Sequence, residues 1–438
     1  MLFSSNTFLF GFLPAVVVLY YLCPRRCRNV LLLVSSLIFY GWGEPKYVLL
    51  MLVSILLNYF CGLAAGKRQT QQRSTRGVLV LGVVLNLGML GFFKYGKFFF
   101  GSAFPDIPLP IGISFYIFQA MSYLIDVCRR EVEVQKNVLT FGTYVTLFPQ
   151  LIAGPIVRYR DVAEMLESRR ENLPQFSRGV QRFVVGLSKK VLLANTFGAA
   201  WNVLQATTGT AAAWLGLLCY TLQIYFDFSG YSDMAIGLGQ LFGFTFLENF
   251  NYPYISASIT EFWRRWHISL STWFKEYVYI PLGGNRKGLA RQIFNILVVW
   301  LLTGLWHGAS WNFVLWGGYY AALLILEKCW LLKAGEKLPL VLRRMMTMVL
   351  VMLGWALFYF EDLGALGAFL GRLFTAVPSA GIAFYLPVTA LGCLCATPAM
   401  KRVKLPDGLR WGLCVVLLLL CVASLARQSY NPFIYFRF

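Results

Sequence analysis

Long apolar runs separated by short polar stretches follow one another along almost the whole chain. A helix needs about 20 mostly apolar residues to cross the hydrocarbon core of a bilayer, and many runs reach or approach this length. They span residues 2–22, 47–65, 78–100, 110–127, 211–228, 345–360, 380–396 and 413–425. Shorter or interrupted runs occur at 30–42, 140–155, 183–203 and on both sides of His307. The pattern predicts an all-α polytopic membrane protein with about eleven to thirteen membrane segments.

The amino-acid composition supports this assignment. Hydrophobic residues make up 58% of the chain and charged residues 13%, whereas about 25% of the residues of a soluble globular protein are charged. No repeat, low-complexity tract or appended soluble domain is visible, so we expect a single membrane domain over residues 1–438. Its predicted parts are N-terminal helices at 1–156, a polar and re-entrant region at 157–292 with an interfacial helix at 257–280, C-terminal helices at 293–427 and an aromatic tail at 428–438.

The distribution of cations predicts how the chain is oriented in the membrane. The first apolar run has no basic residue before it, and Arg25, Arg26 and Arg28 follow it, which is the reverse of the order in a cleaved signal peptide. By the positive-inside rule, these arginines and the basic loop at 67–76 lie in the cytoplasm. The N-terminus and the C-terminal tail are then extracytoplasmic, provided that the run at 140–155 enters the membrane and returns.

The net charge of +20 raises the question of a nucleic-acid partner. The cations lie in loops between predicted spans, where membrane insertion and anionic lipid account for them. We therefore expect the lipid bilayer, and no nucleic acid, as a partner. The ten cysteines lie mostly in apolar runs and lack the paired spacing of a zinc site, so we expect no bound metal.

Two carboxylates interrupt the segment LQIYFDFSGYSDMAIGLG. Asp227 and Asp233 lie within or beside a membrane segment, where an ionisable residue is costly and usually faces a cavity or a partner. The neighbouring glycines favour a break in the helix. In one interpretation the carboxylates cap the broken helix through backbone amides. In the other they line a polar pocket or orient a catalytic base.

A mixed aromatic and basic segment follows at 249–288. Its tryptophans and cations are typical of an interfacial helix, and PLGGNRKG is typical of a turn. The segment should lie along the cytoplasmic face, where its cations could also contact the phosphates of a soluble donor. The candidate donor-binding or tunnel residues are Asp227, Asp233, Asn249, Asn251, Arg264, Arg265, Lys275, Asn285, Arg286 and Trp306.

The chain contains two histidines. His307 lies inside an apolar run between Gly304 and Gly308, where an imidazole is costly unless it is well paired or does chemistry, and we favour a catalytic role for it. His267 lies on the predicted basic surface, where the sequence is equally compatible with a structural and a catalytic role.

One imidazole inside a membrane favours acyl transfer. A histidine metal site needs further ligands, which Asp227 or Asp233 could in principle supply, and a serine hydrolase would need a G-x-S-x-G motif, which the chain lacks. A single base that deprotonates a hydroxyl while the hydroxyl attacks a bound thioester needs only histidine and residues that orient it.

Two long motifs, EFWRRWHISLSTWFKEYVYIPLGGNRKG and LTGLWHGASWNFVLWG, resemble the signature blocks of the membrane-bound O-acyltransferase superfamily, in particular its bacterial branch for alginate and peptidoglycan O-acetylation. The resemblance extends to FYGWGEPKY, LPIGISFYIFQAMSYLIDV, FPQLIAGPIVRY and YFDFSGYSDMAIGLG, and so to nearly the whole chain. It implies a ring of tilted helices around a central tunnel, with His307 as the catalytic histidine and His267 as a second histidine toward the cytoplasmic entrance.

The resemblance also implies substrates and partners. Members take an acyl group from a cytoplasmic thioester, which is acetyl-CoA or an acylated carrier protein, for O-acylation of cell-envelope polysaccharide across the membrane. A separate extracytoplasmic SGNH-type acyltransferase usually completes the transfer to the sugar. We therefore expect a multi-pass protein of the bacterial cytoplasmic membrane that uses acetyl-CoA or an acyl-carrier thioester as donor and holds no permanently bound cofactor.

The chain ends on an aromatic cluster, NPFIYFRF. The spacing of Phe433, Tyr435 and Phe438 resembles a C-terminal motif of this family in which the tyrosine accepts the acyl group. A phenol with a pKa of about 10 is easier for histidine to deprotonate than a sugar hydroxyl, and its ester stays activated. We expect Tyr435 to act with the two histidines in catalysis. The alternative is an aromatic anchor at the membrane interface.

Two further functions stay open. The acyl group could be D-alanine, taken from a carrier protein for teichoic acids. A secondary transporter would also have broken helices and intramembrane carboxylates, although the sequence shows no inverted repeat. The polar residues that could orient His307 are Gln119, Gln150, Asn249, Asn251 and Asn312.

Overall fold

Helices form the regular secondary structure of the described residues, as the hydrophobic pattern predicts. The computed structural model describes residues 1–152, 154–403, 405–426 and 433. They divide into two units, of which the first contains Met1–Leu187 and Tyr231–Glu248 and the second contains Ser188–Gly230, Asn249–Ser424 and Phe433. The prediction of an all-α polytopic membrane protein is confirmed, and the single domain and its predicted parts stay a prediction.

The longest helices lie where the chain is apolar. Up to residue 188 they are α1 (Leu13–Leu22), α2 (Arg28–Gly41), α3 (Val48–Thr70), α4 (Arg76–Leu90), α5 (Gly96–Phe100), α6 (Ile113–Arg129), α7 (Val138–Thr146), α8 (Phe148–Leu151), α9 (Tyr159–Ser168) and α10 (Leu173–Ser188). After it they are α11 (Asn195–Leu204), α12 (Thr210–Leu241), α13 (Ile259–Arg265), α14 (Ile268–Phe274), α15 (Gly288–His307), α16 (Trp311–Leu326), α17 (Leu332–Gly335), α18 (Leu340–Tyr359), α19 (Leu363–Arg372), α20 (Leu386–Cys395), α21 (Ala399–Arg402) and α22 (Asp407–Ala426).

Helical segments of other pitch adjoin several of these helices. Segments with a wider turn occur at Thr7–Phe12, Gly91–Tyr95, Lys189–Ala194, Lys275–Tyr279 and Glu327–Leu331. Single tight turns occur at Arg25–Cys27, Pro45–Tyr47, Gly101–Ala103, Pro253–Ile255 and Ile382–Tyr385.

Within the described part of the chain, six helical stretches have the length and composition to cross a membrane. They are Pro45–Thr70, Arg76–Ala103, Thr210–Leu241, Gly288–His307, Leu340–Tyr359 and Asp407–Ala426. Shorter apolar helices occur at Thr7–Leu22, Leu363–Arg372 and Ile382–Cys395. The larger total number of segments that the sequence predicts stays a prediction, as does the re-entry of the run at 140–155, which is broken between α7 and α8.

In the first unit, α3 and α4 pack against α6 and against each other. The contact of α3 with α4 contains a buried amide pair, in which Asn58 and Asn86 donate hydrogen bonds to each other at 3.0 and 2.8 Å. Each amide also donates to a backbone carbonyl of its own helix. Because a buried amide is costly unless it is hydrogen-bonded, the mutual pairing favours this arrangement of the two helices.

Helix α12 is continuous, although the glycines near Asp227 and Asp233 predict a break. Glycine in this helix permits close packing against a neighbouring helix and does not interrupt the helical backbone. A Cβ atom at Gly237 would lie 2.7 Å from the carbonyl oxygen of Gly179 in α10, and one at Gly179 would lie 2.8 Å from that of Gly237. The glycines therefore permit α10 and α12 to approach each other within the first unit, and the predicted break is wrong.

In the second unit, α15 and α16 form a tightly packed antiparallel pair, and α18 packs against α16. A Cβ atom at Gly304 would overlap the carbonyl oxygen of Phe313, and one at Gly317 would overlap that of Trp300. Small residues that let backbones touch are a common basis of helix association in membranes. The two glycines therefore fix how α15 meets α16, and with it the turn at 308–310 that joins the helices.

Gly317→Ala should destabilise the protein, because its methyl group would meet the Trp300 carbonyl and overpacking costs about 1–3 kcal/mol. Gly318→Ala is the matched control, since nothing lies within 4 Å of a Cβ atom at that position. Alanine also stabilises a helix by about 1 kcal/mol relative to glycine. The thermal unfolding midpoint of the protein in detergent should fall for the first variant and hold or rise for the second. Equal midpoints would contradict the importance of this contact.

Candidate active site

His307 is the last residue of α15 and lies at the turn into α16. Its imidazole is buried, with 6% of the residue exposed. The rings of Trp306, Trp316 and Phe358 contact it edge-on, with centroids 5.1, 5.0 and 5.3 Å away. The next residue is Gly308, and a Cβ atom at this position would overlap the ring of Phe313. The turn therefore presents the imidazole to an aromatic pocket with little room for other side chains.

His267 lies at a bend in the chain. In place of the continuous helix predicted for 257–280, α13 ends at Arg265, α14 begins at Ile268, and a wider helical turn covers Lys275–Tyr279. The φ angle of His267 is +44°, in the left-handed region that costs a non-glycine residue about 1–2 kcal/mol. Residues in such conformations persist only where surrounding contacts hold them.

Hydrogen bonds from the segment 249–251 supply those contacts. The backbone amide of Asn251 donates to the carbonyl of Arg265, and the amide of Ile268 donates to the carbonyl of Asn249, both at 2.9 Å. These bonds lie on either side of His267 and fix the bend. Tertiary contacts thus override the helical pattern at this position.

Asn249 also fixes the tautomer of His267. The side-chain oxygen of Asn249 accepts hydrogen bonds from the backbone amide and the hydroxyl of Ser269, at 3.2 and 2.9 Å, and lies 3.1 Å from Nδ1 of His267. An amide oxygen can only accept a hydrogen bond, so Nδ1 carries the proton. Nε2 then holds the lone pair, and it has no hydrogen-bond partner among the described residues.

Burial lowers the pKa of His267 to about 3 from its ordinary value of 6.5. The residue is 1% exposed, and an imidazolium in this position would lose its hydration. The imidazole is therefore neutral at physiological pH. It can accept a hydrogen bond at Nε2 from a polar group that enters the site.

An aromatic cluster of the second unit connects the two histidines. The ring of Trp306 lies 5.1 Å from the imidazole of His307 and 6.0 Å from that of His267. The ring of Phe228 in α12 lies 4.7 Å from His267 and 5.8 Å from the ring of Phe433, which is buried. The structure therefore brings together both predicted histidines, the predicted Trp306 and one residue of the predicted tail.

Glu327 holds α13 in place and is not among the residues that the sequence predicts. The buried carboxylate of Glu327 accepts hydrogen bonds from the backbone amides of Ile259 and Thr260, at 2.6 and 2.8 Å, and from the Thr260 hydroxyl at 2.7 Å. A carboxylate at a helix N-terminus satisfies amides that have no partner within the helix. The only sequence feature that points to Glu327 is its position as an acid directly after an apolar run.

The two predicted carboxylates belong to different units, and each has a cationic partner. In the second unit, Asp227 pairs with Lys190 at 2.5 Å, and the two side chains are 1% and 6% exposed. In the first unit, Asp233 pairs with Arg182 at 2.8 Å, and Arg182 also binds Glu248. The cations lie far from the carboxylates in sequence, so no local pattern identifies Lys190 or Arg182 as partners.

The other predicted residues divide into surface and interior positions. Exposed side chains belong to Asn251, Arg264, Lys275, Asn285 and Arg286. Arg265 is half-buried and binds the Glu261 carboxylate at 2.9 Å. Tyr435 lies outside the described residues. The exposed positions do not contribute to the buried aromatic cluster.

The polar residues considered as partners of His307 lie in different surroundings. Asn249 contacts His267, as described above. The amide of Asn312 donates to the carbonyl of Phe358 at 3.1 Å. Gln119 and Gln150 belong to the first unit. Of this set, Asn312 is tied to a residue whose ring contacts the His307 imidazole.

Comparisons with known proteins agree with the family resemblance of the sequence motifs. The model of MBOAT, the membrane-bound O-acyltransferase family, matches residues 37–333. The chain is 41% identical to "Probable alginate O-acetylase AlgI" of Pseudomonas putida over the full length of both chains. It is 34% identical to the peptidoglycan O-acetyltransferase of Helicobacter pylori, over 83% of this chain and 78% of the relative. It is 29% identical to the teichoic acid D-alanyltransferase of Streptococcus thermophilus, over 51% of this chain and 58% of the relative.

Lys190→Met should strongly destabilise the protein, because it leaves the buried Asp227 carboxylate without its cation, and breaking such a pair costs about 3–5 kcal/mol. Lys190→Met/Asp227→Leu should recover most of this loss, since both charges then leave the apolar interior. Unfolding midpoints of the wild type, both single variants and the double variant complete a mutant cycle. Additive effects of the two changes would show that the side chains are not coupled.

Acid should destabilise the protein through His267. Folded His267 stays neutral down to a pKa of about 3, whereas the unfolded residue takes up a proton near 6.5. Its contribution to stability is therefore complete above pH 6.5 and is lost as the pH falls from 6.5 toward 3. The unfolding midpoint, measured from pH 7.5 to 4.5, should fall less steeply in His267→Gln than in the wild type. Parallel curves would refute the assignment.

Proposed function

Because the chain belongs to the membrane-bound O-acyltransferase family and is an O-acyltransferase, we propose that it takes an acetyl group from a cytoplasmic thioester for O-acetylation of an extracytoplasmic polysaccharide. Acetyl-CoA is the proposed donor, and an acylated carrier protein is the other thioester of this chemical class. Full-length similarity to a protein named for alginate O-acetylation supports acetyl transfer and an alginate-like acceptor. The D-alanyltransferase relatives are more distant and align with about half of the chain. They therefore support D-alanine as the transferred group less strongly than the alginate relative supports acetyl.

His307 is the proposed general base of the first transfer. It takes the proton of the Tyr435 hydroxyl while the phenolic oxygen attacks the carbonyl carbon of the thioester. The tetrahedral intermediate then breaks its carbon–sulfur bond, and the imidazolium returns the proton to the departing thiolate. The products are free thiol and an acetyl ester on Tyr435. The aromatic rings around His307 exclude water and so protect this ester from hydrolysis.

The contact between Phe433 and Phe228 carries the assignment of the tail. Phe228 also contacts His267, so the residue two positions before Tyr435 packs in the aromatic cluster of the two histidines. Two residues of extended chain span at most about 7 Å. The proposal requires the Tyr435 hydroxyl to reach this cluster, and the distance along the chain from Phe433 permits it. An interfacial anchor would turn its aromatic rings toward lipid, whereas Phe433 is 3% exposed. The observation therefore favours the acyl-carrier role over the anchor.

The proposed role of His267 is to orient the reacting groups. Its Nε2 accepts a hydrogen bond from the entering donor or from the tyrosine hydroxyl, and Asn249 keeps the proton on the other nitrogen. Trp306, whose ring contacts both imidazoles, is proposed to line the route of the acyl group. Exposed Arg264, Lys275 and Arg286 attract the phosphates of the donor to the cytoplasmic entrance.

The second transfer takes the acetyl group from Tyr435 to a sugar hydroxyl. We assign it to a separate SGNH-type acyltransferase on the outer side of a bacterial cytoplasmic membrane. This assignment rests on the family resemblance and on the predicted extracytoplasmic position of both termini, which follows from the cations of the loops.

Incubation of the purified protein with isotopically labelled acetyl-CoA should place the label on Tyr435, where peptide mass spectrometry of the C-terminal fragment detects it. Tyr435→Phe removes the acceptor oxygen and should abolish the labelled peptide. His307→Ala removes the base and should lower its rate of formation at least about 100-fold, the usual contribution of a general base. His267→Gln should reduce labelling to a smaller extent.

Label on Tyr435 at the wild-type rate in His307→Ala would overturn the role of the base. Donor turnover without label on Tyr435 would overturn the role of the tail and leave direct transfer to a partner or polymer. Label from a D-alanylated carrier protein, and none from acetyl-CoA, would replace acetyl by D-alanine as the transferred group.

A further inference from the structure

A strongly basic cavity lies in the first unit, and no described residue of the proposed acyl-transfer site lines it. It has a volume of about 350 Å³ and is lined by Arg73, Arg76, Arg129 and Arg130, among others. All four arginines are exposed. We call this cavity, with its four arginines, the basic pocket.

The fold assembles the basic pocket from three helix ends. α3 ends at Thr70, α4 begins at Arg76, and α6 ends at Arg129. Two residues just past helix ends, Gln72 and Arg130, have positive φ angles of 54° and 64° and turn the chain sharply. The side-chain amide of Gln69 donates to the carbonyl of Val127 at 2.7 Å and ties α3 to α6. Cations from separate loops are thereby held around one opening.

Three of the four arginines of the basic pocket have no acidic partner in the part of the chain that the structure describes. Residues 45–105 contain no aspartate or glutamate. Glu131, which follows the pocket, binds Arg160 at 2.6 Å and lies 4.0 Å from Arg129. Arg73, Arg76 and Arg130 form no ion pair with any described residue. Crowded cations without acids repel one another, so this arrangement favours an external anion.

The surroundings of the pocket favour an amphiphilic anion. α3 and α4 include candidate membrane spans, and the pocket lies at their polar ends. Large apolar side chains on the same two helices, such as Phe60 and Val80, are 60% and 61% exposed. A ligand with a charged head and long acyl chains would match a basic cavity at the end of an exposed apolar surface. A soluble phosphate would use the cavity alone.

We propose that the basic pocket binds the phosphate of an anionic phospholipid on the cytoplasmic side of the membrane. The guanidinium groups donate paired hydrogen bonds to phosphate oxygens, and the acyl chains lie along α3 and α4. Basic pockets between the cytoplasmic ends of membrane helices have the charge and shape for such headgroups. The inference rests on the charges and helices of the first unit and does not depend on the proposed acyl transfer.

The test is lipid binding to the full-length protein in detergent, followed by native mass spectrometry and by the thermal unfolding midpoint. The wild type should retain phosphatidylglycerol in preference to phosphatidylcholine with the same acyl chains. Arg73→Gln/Arg76→Gln should weaken phosphatidylglycerol binding roughly thirtyfold, as expected for two lost cations near a phosphate. Arg129→Gln/Arg130→Gln, at the end of α6, should have a similar effect and tests the proposal if the first variant folds poorly.

Arg25→Gln/Arg26→Gln is the matched control, because it removes two exposed cations from another predicted cytoplasmic loop and should leave the affinity unchanged. Inorganic phosphate and coenzyme A serve as soluble competitors. The proposal is overturned if the wild type does not distinguish the two lipids, or if the control lowers the affinity as much as the pocket variants do. It is also overturned if soluble phosphate displaces the lipid and stabilises the protein equally, since the ligand would then be a soluble anion.

Discussion

The close contact of α15 with α16 is the constraint on which the proposed active site depends. Gly304 and Gly317 let the two backbones touch, and this fixes the turn that carries His307. α16 leads directly into Glu327, whose carboxylate holds the first turn of α13. α13 leads directly into the bend at His267. One helix pair thus sets the position of both imidazoles, although they lie far apart in the sequence.

Burial determines the chemistry of the polar groups around this helix pair. A buried charge needs a partner, and Lys190 and Asp227 supply each other with one. A buried amide needs hydrogen bonds, and the Asn249 oxygen receives them from Ser269 and His267. The same loss of hydration keeps the imidazole of His267 neutral. The site therefore combines a fixed tautomer with an open acceptor nitrogen, which is an arrangement suited to orienting a reacting hydroxyl.

Much of the site can be predicted from the sequence, because motif spacing and apolar runs are local properties. They identify both histidines, Trp306 and the helical class of the fold. Three features depend instead on contacts between distant segments. α12 stays continuous because Gly237 packs on α10, the chain bends at His267 because Asn249 ties it, and Asp227 is neutralised by Lys190. No local pattern contains these partners. The sequence therefore predicts a break in α12, which is continuous, and one interfacial helix over 257–280, where the chain bends at His267.

The position of His307 at the end of its helix has an electrostatic consequence. The peptide dipoles of α15 add along 20 residues to a partial negative charge of about half an elementary charge at the C-terminal end. This charge lies at the helix end that carries the imidazole, where it attracts cationic groups and repels anionic ones. In the proposed reaction the same field destabilises the departing thiolate until that thiolate takes up a proton. The backbone of one helix thus adds a fixed field to the place where the proposed proton transfer occurs.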